Sequence, residues 1–317
     1  MTARKMTFRK RRSAGKPGGT PALKERKPWY KGLSAWTKTA IVGPVAAAVL
    51  GAAILKIVGL ADGGGSPASP KPDPHSPAVM INRLRMEHLP AEASMATATV
   101  VGAAEVDRLN KENGIIRGDA FDEAGDQRLR ALGAANVGVA TTTLAVTGNR
   151  KGGVRITDIR VLAQCQSPLT GTLFFAPTEG GAYTAKIGFN LDRPAPSAQN
   201  VTGGGDEGAP KFTGSYFLDH EYDLALGEPA TFVLTATTTR YYCRYRYRFE
   251  LLVNGKPATQ IVPDHGEPLT ITAPAYELST ARGAYTFSAY RALYISPMLT
   301  NGKATGWSAA DPASYVF

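Results

Sequence analysis

The chain has 317 residues, a formal net charge of +10 and two cysteines. Two cysteines exclude a disulfide-built miniature, and the length leaves ample chain for a sizeable core. The basic balance, which taken whole points to nucleic acid, is confined to one end. Residues 1–38 hold twelve Lys/Arg against one acid, Glu25, whereas the rest of the chain holds 24 bases and 25 acids. The globular part is therefore close to neutral, and no nucleic-acid partner is expected.

The tail, residues 1–38, is rich in Gly, Pro and Lys and has no apolar period, so it is expected to be disordered. Arg9-Lys10-Arg11-Arg12 is not followed by a twin-arginine pattern. The tail reads as a topology signal that also sits on anionic lipid. A docking site for a cytoplasmic partner is the other reading.

Residues 39–60 follow as a transmembrane signal-anchor helix. The run Ala40–Leu60, AIVGPVAAAVLGAAILKIVGL, carries one charge, Lys56. At about 1.5 Å per residue it spans about 30 Å, the thickness of a hydrocarbon core. Pro44 lies in the first turns, where its missing N–H costs little, and Lys56 is placed to snorkel. Trp29, Tyr30 and Trp36 form an aromatic belt on the basic side. The base excess before the segment puts the N-terminus in the cytoplasm and the C-terminal part outside the cell. A signal peptide cleaved near Gly59-Leu60-Ala61 is the alternative, and it too exports the remainder. Residues 61–78, ADGGGSPASPKPDPHSPA, hold five prolines after a glycine run. Such a linker favours extended polyproline II and reaches about 55 Å if wholly extended.

Residues 79–136 read as a mixed N-terminal part of the outer domain. Val79–Leu89 is a candidate strand, and helical turns are expected around Ala103–Glu112 and Asp122–Leu132. Arg117-Gly118-Asp119 is taken as chance. Residues 137–317 read as the β domain. Val137–Thr147 and Val154–Cys165 flank a turn, Gly148–Gly153, and are expected to pair as a hairpin. Thr170–Ala176, Ala185–Leu191, Tyr222–Leu226, Thr231–Thr239 and Tyr285–Ile295 are further strand candidates between turn residues. The clearest is Arg240–Val253, RYYCRYRYRFELLV, whose alternation puts Tyr241, Cys243, Tyr245, Tyr247, Phe249, Leu251 and Val253 on one face. It ends at Asn254-Gly255, the strongest short hairpin signal. Many short strands argue for an all-β outer domain, an antiparallel sandwich of Ig-like or jelly-roll-like kind.

Cys165 and Cys243 are both expected on inward faces and outside the cell, which favours a disulfide between them; two buried thiols are the alternative. Four histidines, His75, His88, His220 and His265, form no metal-ligand spacing, and there is no G-x-S-x-G elbow. No cofactor or metal is implied. Ser13-Ala14-Gly15-Lys16 fits S-x-x-K only by coincidence within the tail. Asp219-His220-Glu221 and Asp264-His265 place acids beside histidines, but strand neighbours point to opposite faces. The loop Gly203–Gly208 has too few acids for calcium. The candidate binding residues are Arg240, Arg244, Arg246 and Arg248 on the other face of the clearest strand. A row of like charges repels unless answered. Either a neighbouring strand answers it, with the acids of Asp219–Asp223 supplying the carboxylates, or an external polyanion gripped by arginine does.

The layout of basic tail, single anchor, Pro/Ser spacer and Ala/Gly/Thr/Arg-rich β domain resembles exported envelope proteins of high-GC actinobacteria. The stretches VRITDIRVLAQCQSPLTGTLFF and LALGEPATFVLTATT resemble their β-sandwich domains. The resemblance covers residues 40–273 and brings no activity and no site residue. The expected function is a membrane-anchored envelope protein whose outer domain binds a wall component, a surface polymer or a protein partner, with an anionic wall polymer or an envelope protein as the candidate partners. Two other readings stay open: a wall- or glycan-acting enzyme built on carboxylates such as Asp219 and Glu221, and a transmembrane signalling or scaffold subunit.

Overall fold

The computed structural model describes residues 76–87, 94–112, 123–176, 187–202, 210–279, 284–296 and 306–317. The tail 1–38, the apolar segment 39–60, all but the last three residues of the linker, His75, His88, Arg117–Asp119 and the Gly203–Gly208 loop lie outside the described residues. Among the described residues no helix is long and apolar enough to cross a membrane.

The chain enters on β1 (Val79–Met86) and β2 (Met95–Ala96), then forms α1 (Ala103–Glu112) and α2 (Glu123–Ala131). Next come β3 (Ala135–Val137), β4 (Val139–Gly148), β5 (Val154–Gln166), β6 (Thr172–Phe175), β7 (Ile187–Asn190), β8 (Gln199–Thr202) and β9 (Lys211–Ser215). A 3-10 turn at Tyr216–Leu218 leads to β10 (Tyr222–Leu224), β11 (Pro229–Thr237), β12 (Tyr242–Val253), β13 (Lys256–Val262) and β14 (Leu269–Thr272). The last elements are β15 (Glu277–Ser279), β16 (Ala284–Thr286), β17 (Ala292–Ile295) and β18 (Ser308–Ala310). The described residues are thus all-β in character, with two helices where the apolar period of the sequence placed them.

Six strands, in the order β1-β4-β11-β7-β8-β9, form one sheet. Ten form a second, β10-β5-β12-β14-β3-β2-β6-β17-β18, with β13 paired to β12. Three pairs are parallel: β11 with β7, β14 with β3, and β17 with β6. The sheets are therefore mixed, which corrects the antiparallel expectation. Strand periodicity fixes which side chains face inward but carries no information on strand direction.

The expected hairpin between Val137–Thr147 and Val154–Cys165 does not form. β4 belongs to the six-stranded sheet and β5 to the ten-stranded one. At Gly148 the first sheet ends: its N–H bonds the carbonyl of Glu228 and its carbonyl accepts from Gly227. A Cβ at Gly148 would overlap the main chain of Leu224 and Ala225, so only glycine lets the chain leave here. Gly153, at φ 79°, then delivers Val154 to the other sheet.

The two sheets share one core. Leu144, Phe189, Phe232 and Leu234 meet Ile156, Ile159, Val161, Tyr247 and Phe249, all buried. Phe189 lies 5.3 Å from Tyr247 and Phe232 lies 6.1 Å from Phe249, ring centre to ring centre. The far half of the large sheet is covered on both faces, which is why all four residues of β6 are buried. Met95 and Phe174 pack against Val106, Leu109, Leu129 and Trp307 on one side. Ala96, Leu173, Phe175 and Leu293 pack against Phe287 and Tyr290 on the other.

Candidate functional site

Alternation along β12 buries Cys243, Tyr245, Tyr247, Phe249 and Leu251 and turns Arg244, Arg246, Arg248 and Glu250 outward. Arg244 stands beside Gln164 of β5 and Thr270 of β14, and Arg246 beside Leu162. Arg248 faces Arg160 of β5. That like-charge contact is answered within the same face: Asp158 lies 3.0 Å from Arg160, and Glu250 lies 2.7 Å from Arg248 and 4.0 Å from Arg160. The acids expected from Asp219–Asp223 do not reach the ladder. Glu221 and Asp223 instead bind Arg155, at 3.4 and 2.7 Å, because β10 pairs with the opposite end of β5.

Arg240 is not a rung of this ladder. It lies in the bend before β12, with its guanidinium 5.2 Å above the Tyr241 ring. The bend is tied down by Asp192, which accepts from the Thr238 and Thr239 hydroxyls at 2.7 and 2.8 Å and from the Thr239 N–H at 2.9 Å. Burial alone would raise the Asp192 pKa. Hydrogen bonds from Thr238, Thr239 and Arg240 outweigh it and hold the group below the ordinary carboxylate range.

The remaining arginines differ in how firmly they are held. Arg244 donates to Glu267 at 2.9 Å, but the Glu267 side chain is 89% exposed, and such a pair is worth about 0–1 kcal/mol. Arg246 donates to two main-chain carbonyls, Pro263 and Gly266, both at 2.7 Å. These fix its direction and leave its charge without a carboxylate. Arg244 therefore has a weakly bound counter-charge, and Arg246 has none among the described residues.

Two grooves meet at Arg244 and Pro268. The first, about 650 Å³, adds Arg83 and Arg85 of β1, Arg130 of α2 and Tyr242. Arg130 is pinned by Asp126, at 2.7 and 3.1 Å, and by the Asn136 side-chain oxygen at 2.5 Å. Arg83 has no carboxylate partner among the described residues. Burial raises the Tyr242 pKa; nearby Arg244 opposes this and Glu267 adds to it, so the net shift is upward and the phenol stays neutral. The second groove, about 920 Å³, runs along Val161–Cys165 of β5 and is walled by the loop Leu191–Pro196. Its exposed Arg193 also lacks a carboxylate partner among the described residues. Sequence reasoning missed Arg83, Arg85, Arg130 and Arg193. The Arg-x-Arg of Arg83 and Arg85 was visible inside a predicted strand, but nothing in the sequence brings β1 to β12.

Cys165 and Cys243 form the expected disulfide, directly opposite one another on β5 and β12. Cys243 is buried as expected, whereas Cys165 is exposed. The whole end of β5, Leu162–Gln166, is exposed on both faces, and it is also the part without a second edge partner among the described residues. β10 pairs only with Val154–Ile156, and residues 196–198 reach only as far as Val161. The bridge thus stands at the rim of the second groove.

Neither histidine pair assembles a catalytic contact. His220 stacks on Tyr216, ring centres 4.1 Å apart, with Nδ1 2.8 Å from the Tyr216 carbonyl. His265 is exposed, 3.7 Å from Asp264. Among the described residues no three His, Cys, Asp or Glu side chains gather as metal ligands do. Comparison with family models, with curated proteins and with solved structures returns no match for this chain, and the functional reading rests on the residues themselves.

Proposed function

We propose that this chain is a single-pass, membrane-anchored envelope protein whose outer β domain, of Ig-like or jelly-roll-like sandwich kind, binds an anionic wall polymer, surface polymer or acidic protein. The reading of the anchor and its orientation is supported by the apolar run 40–60 and the +11 tail before it. Similarity in layout to actinobacterial exported proteins agrees with it. The observation that carries the binding reading is the set of arginines around β12 that the domain leaves un-neutralised. Arg246, Arg83 and Arg193 have no carboxylate partner among the described residues, and Arg244 holds only an exposed one. Guanidinium groups fixed by main-chain carbonyls, as Arg246 is, are oriented for an anion before it arrives.

The test is retention of the full chain, in detergent micelles, on isolated cell wall and on immobilised polyphosphate over a salt series. The double variant Arg244→Glu plus Arg246→Glu keeps the basic tail, so the tail's own attraction cancels in the comparison. Salt-sensitive retention is expected to fall at least about tenfold with the circular dichroism spectrum unchanged. Equal retention of the two proteins would refute the assignment.

A further inference from the structure

We propose that the free edge of β5 over Leu162–Gln166 is a strand-addition site for an extended polypeptide that alternates apolar and acidic residues. This rests on reading Arg244 and Arg246 as anion-binding groups and narrows their partner to a peptide.

β5 is paired with β12 along its whole length. On its other side the partners run out. β10 takes Val154–Ile156. Residues 196–198 then take Ile159 and Val161, through Ala198 N–H to the Ile159 carbonyl at 3.0 Å and Val161 N–H to the Pro196 carbonyl at 2.9 Å. Those two bonds identify which residues aim their main chain at the free edge. By the period of two, Ala163 and Cys165 are the next. Their N–H and C=O groups face the second groove and have no partner on that side among the described residues.

Proteins usually guard such an edge with proline, lysine, a bulge or an inward charge. LAQCQ has none of these, and Leu162 is 40% exposed. The one register shift between β5 and β12 lies at the other end, at Glu250/Leu251. The disulfide ties Cys165 to its direct neighbour on β12, so the edge keeps its line without a second strand. The opposite wall holds Ala195 at φ 49°, a left-handed conformation that costs a non-glycine residue about 1–2 kcal/mol and that clusters at ligand sites.

The two sides of the groove state what the guest must be. On the inward side stand Ala163, Leu191 and Tyr241; on the outward side stand Arg244 and Arg246. Successive residues of an added strand point to opposite sides, so apolar residues meet the first set and carboxylates the second. A non-peptide polyanion would satisfy the arginines and leave the main-chain groups of Ala163 and Cys165 unpaired. Strand addition satisfies both.

The test uses the full chain in micelles and a ten-residue peptide of alternating valine and glutamate. The readouts are fluorescence anisotropy and amide hydrogen exchange at Ala163 and Cys165. Peptide binding is expected to slow exchange at both amides. Binding should weaken at least about tenfold in Ala163→Pro, which removes an edge donor and leaves the β12 ladder intact. A peptide N-methylated at alternate residues should fail to bind the unaltered chain, which keeps the test valid if Ala163→Pro misfolds. Polyphosphate should bind Ala163→Pro as it binds the parent, while Arg246→Glu weakens both ligands. Peptide binding without amide protection, or equal binding of the N-methylated peptide, would overturn strand addition and leave the anion reading standing if polyphosphate still binds. Loss of both ligands from the unaltered chain would overturn both readings.

Discussion

Replacing both bridge cysteines, Cys165→Ala plus Cys243→Ala, is expected to cost a large part of the margin by which the domain stays folded. The bridge joins residues 78 apart in sequence. Closing a loop of that length removes chain entropy from the unfolded state worth about 4.5 kcal/mol at 25 °C. Against a typical stability of about 5–15 kcal/mol this is a large share. For a unit of this size each kcal/mol moves the melting temperature by about 2–4 °C, so a fall of roughly 9–18 °C follows. Methyl groups at both positions keep the inner side of the pair apolar, so little of the loss comes from burying a polar group at Cys243. Thermal unfolding of the full chain in micelles, followed by near-ultraviolet circular dichroism, reads the shift. Urea unfolding adds a check, because an uncrosslinked unfolded chain exposes more surface and steepens the denaturant slope. A melting temperature within about 2 °C of the parent, with an unchanged slope, would refute the entropic reasoning.

Phe249→Ala is expected to destabilise by about 3–5 kcal/mol, because the ring is fully buried between the sheets against Phe232. A urea midpoint equal to the parent's would show that the two sheets do not share that core. Asp192 predicts a pH effect with a definite sign. Its folded pKa lies below its unfolded value, so its contribution is fully present above about pH 4 and is lost as pH falls through the lower folded value. Asp192→Asn should therefore flatten the acid limb of stability below about pH 4, as read from urea midpoints. An acid limb identical to the parent's would mean that the bend before β12 is held by other bonds.

Local signals in the sequence carried over well. The alternation of Tyr242–Val253 is the burial pattern of β12. Asn254 and Gly255 sit at φ 51° and 75°, the pair of positive angles that an Asn-Gly hairpin turn needs. The stretches read as helical around 103–112 and 122–132 are α1 and α2. What did not carry over is partnership. Period two puts Ile159, Val161, Ala163 and Cys165 on one face, but it does not say that only the first two are buried or that β4 lies in a different sheet from β5. It says that Arg244 and Arg246 share a face, but not that Asp158, Glu250 and Glu267 answer that face while Asp223 answers Arg155. Arg240 was misplaced for a related reason: the strand pattern continues through it, while the Asp192 hydrogen bonds that bend the chain come from a loop 46 residues away.

The short strands β2 and β3 have a consequence for the order of folding. They join the two halves of the ten-stranded sheet, since β3 pairs with β14 and β2 pairs with β6. Met95 thus waits for Phe174, and Asn136 waits for Ile271. In a chain made from its N-terminus the keystone is synthesised early but has neighbours on both sides only once β14 exists. Sequence-distant pairing of this kind slows folding and leaves strand edges open in the interval. The five residues of β2 and β3 are therefore the only link within the large sheet, among the described residues, between the half that ends on β14 and the half that begins on β6.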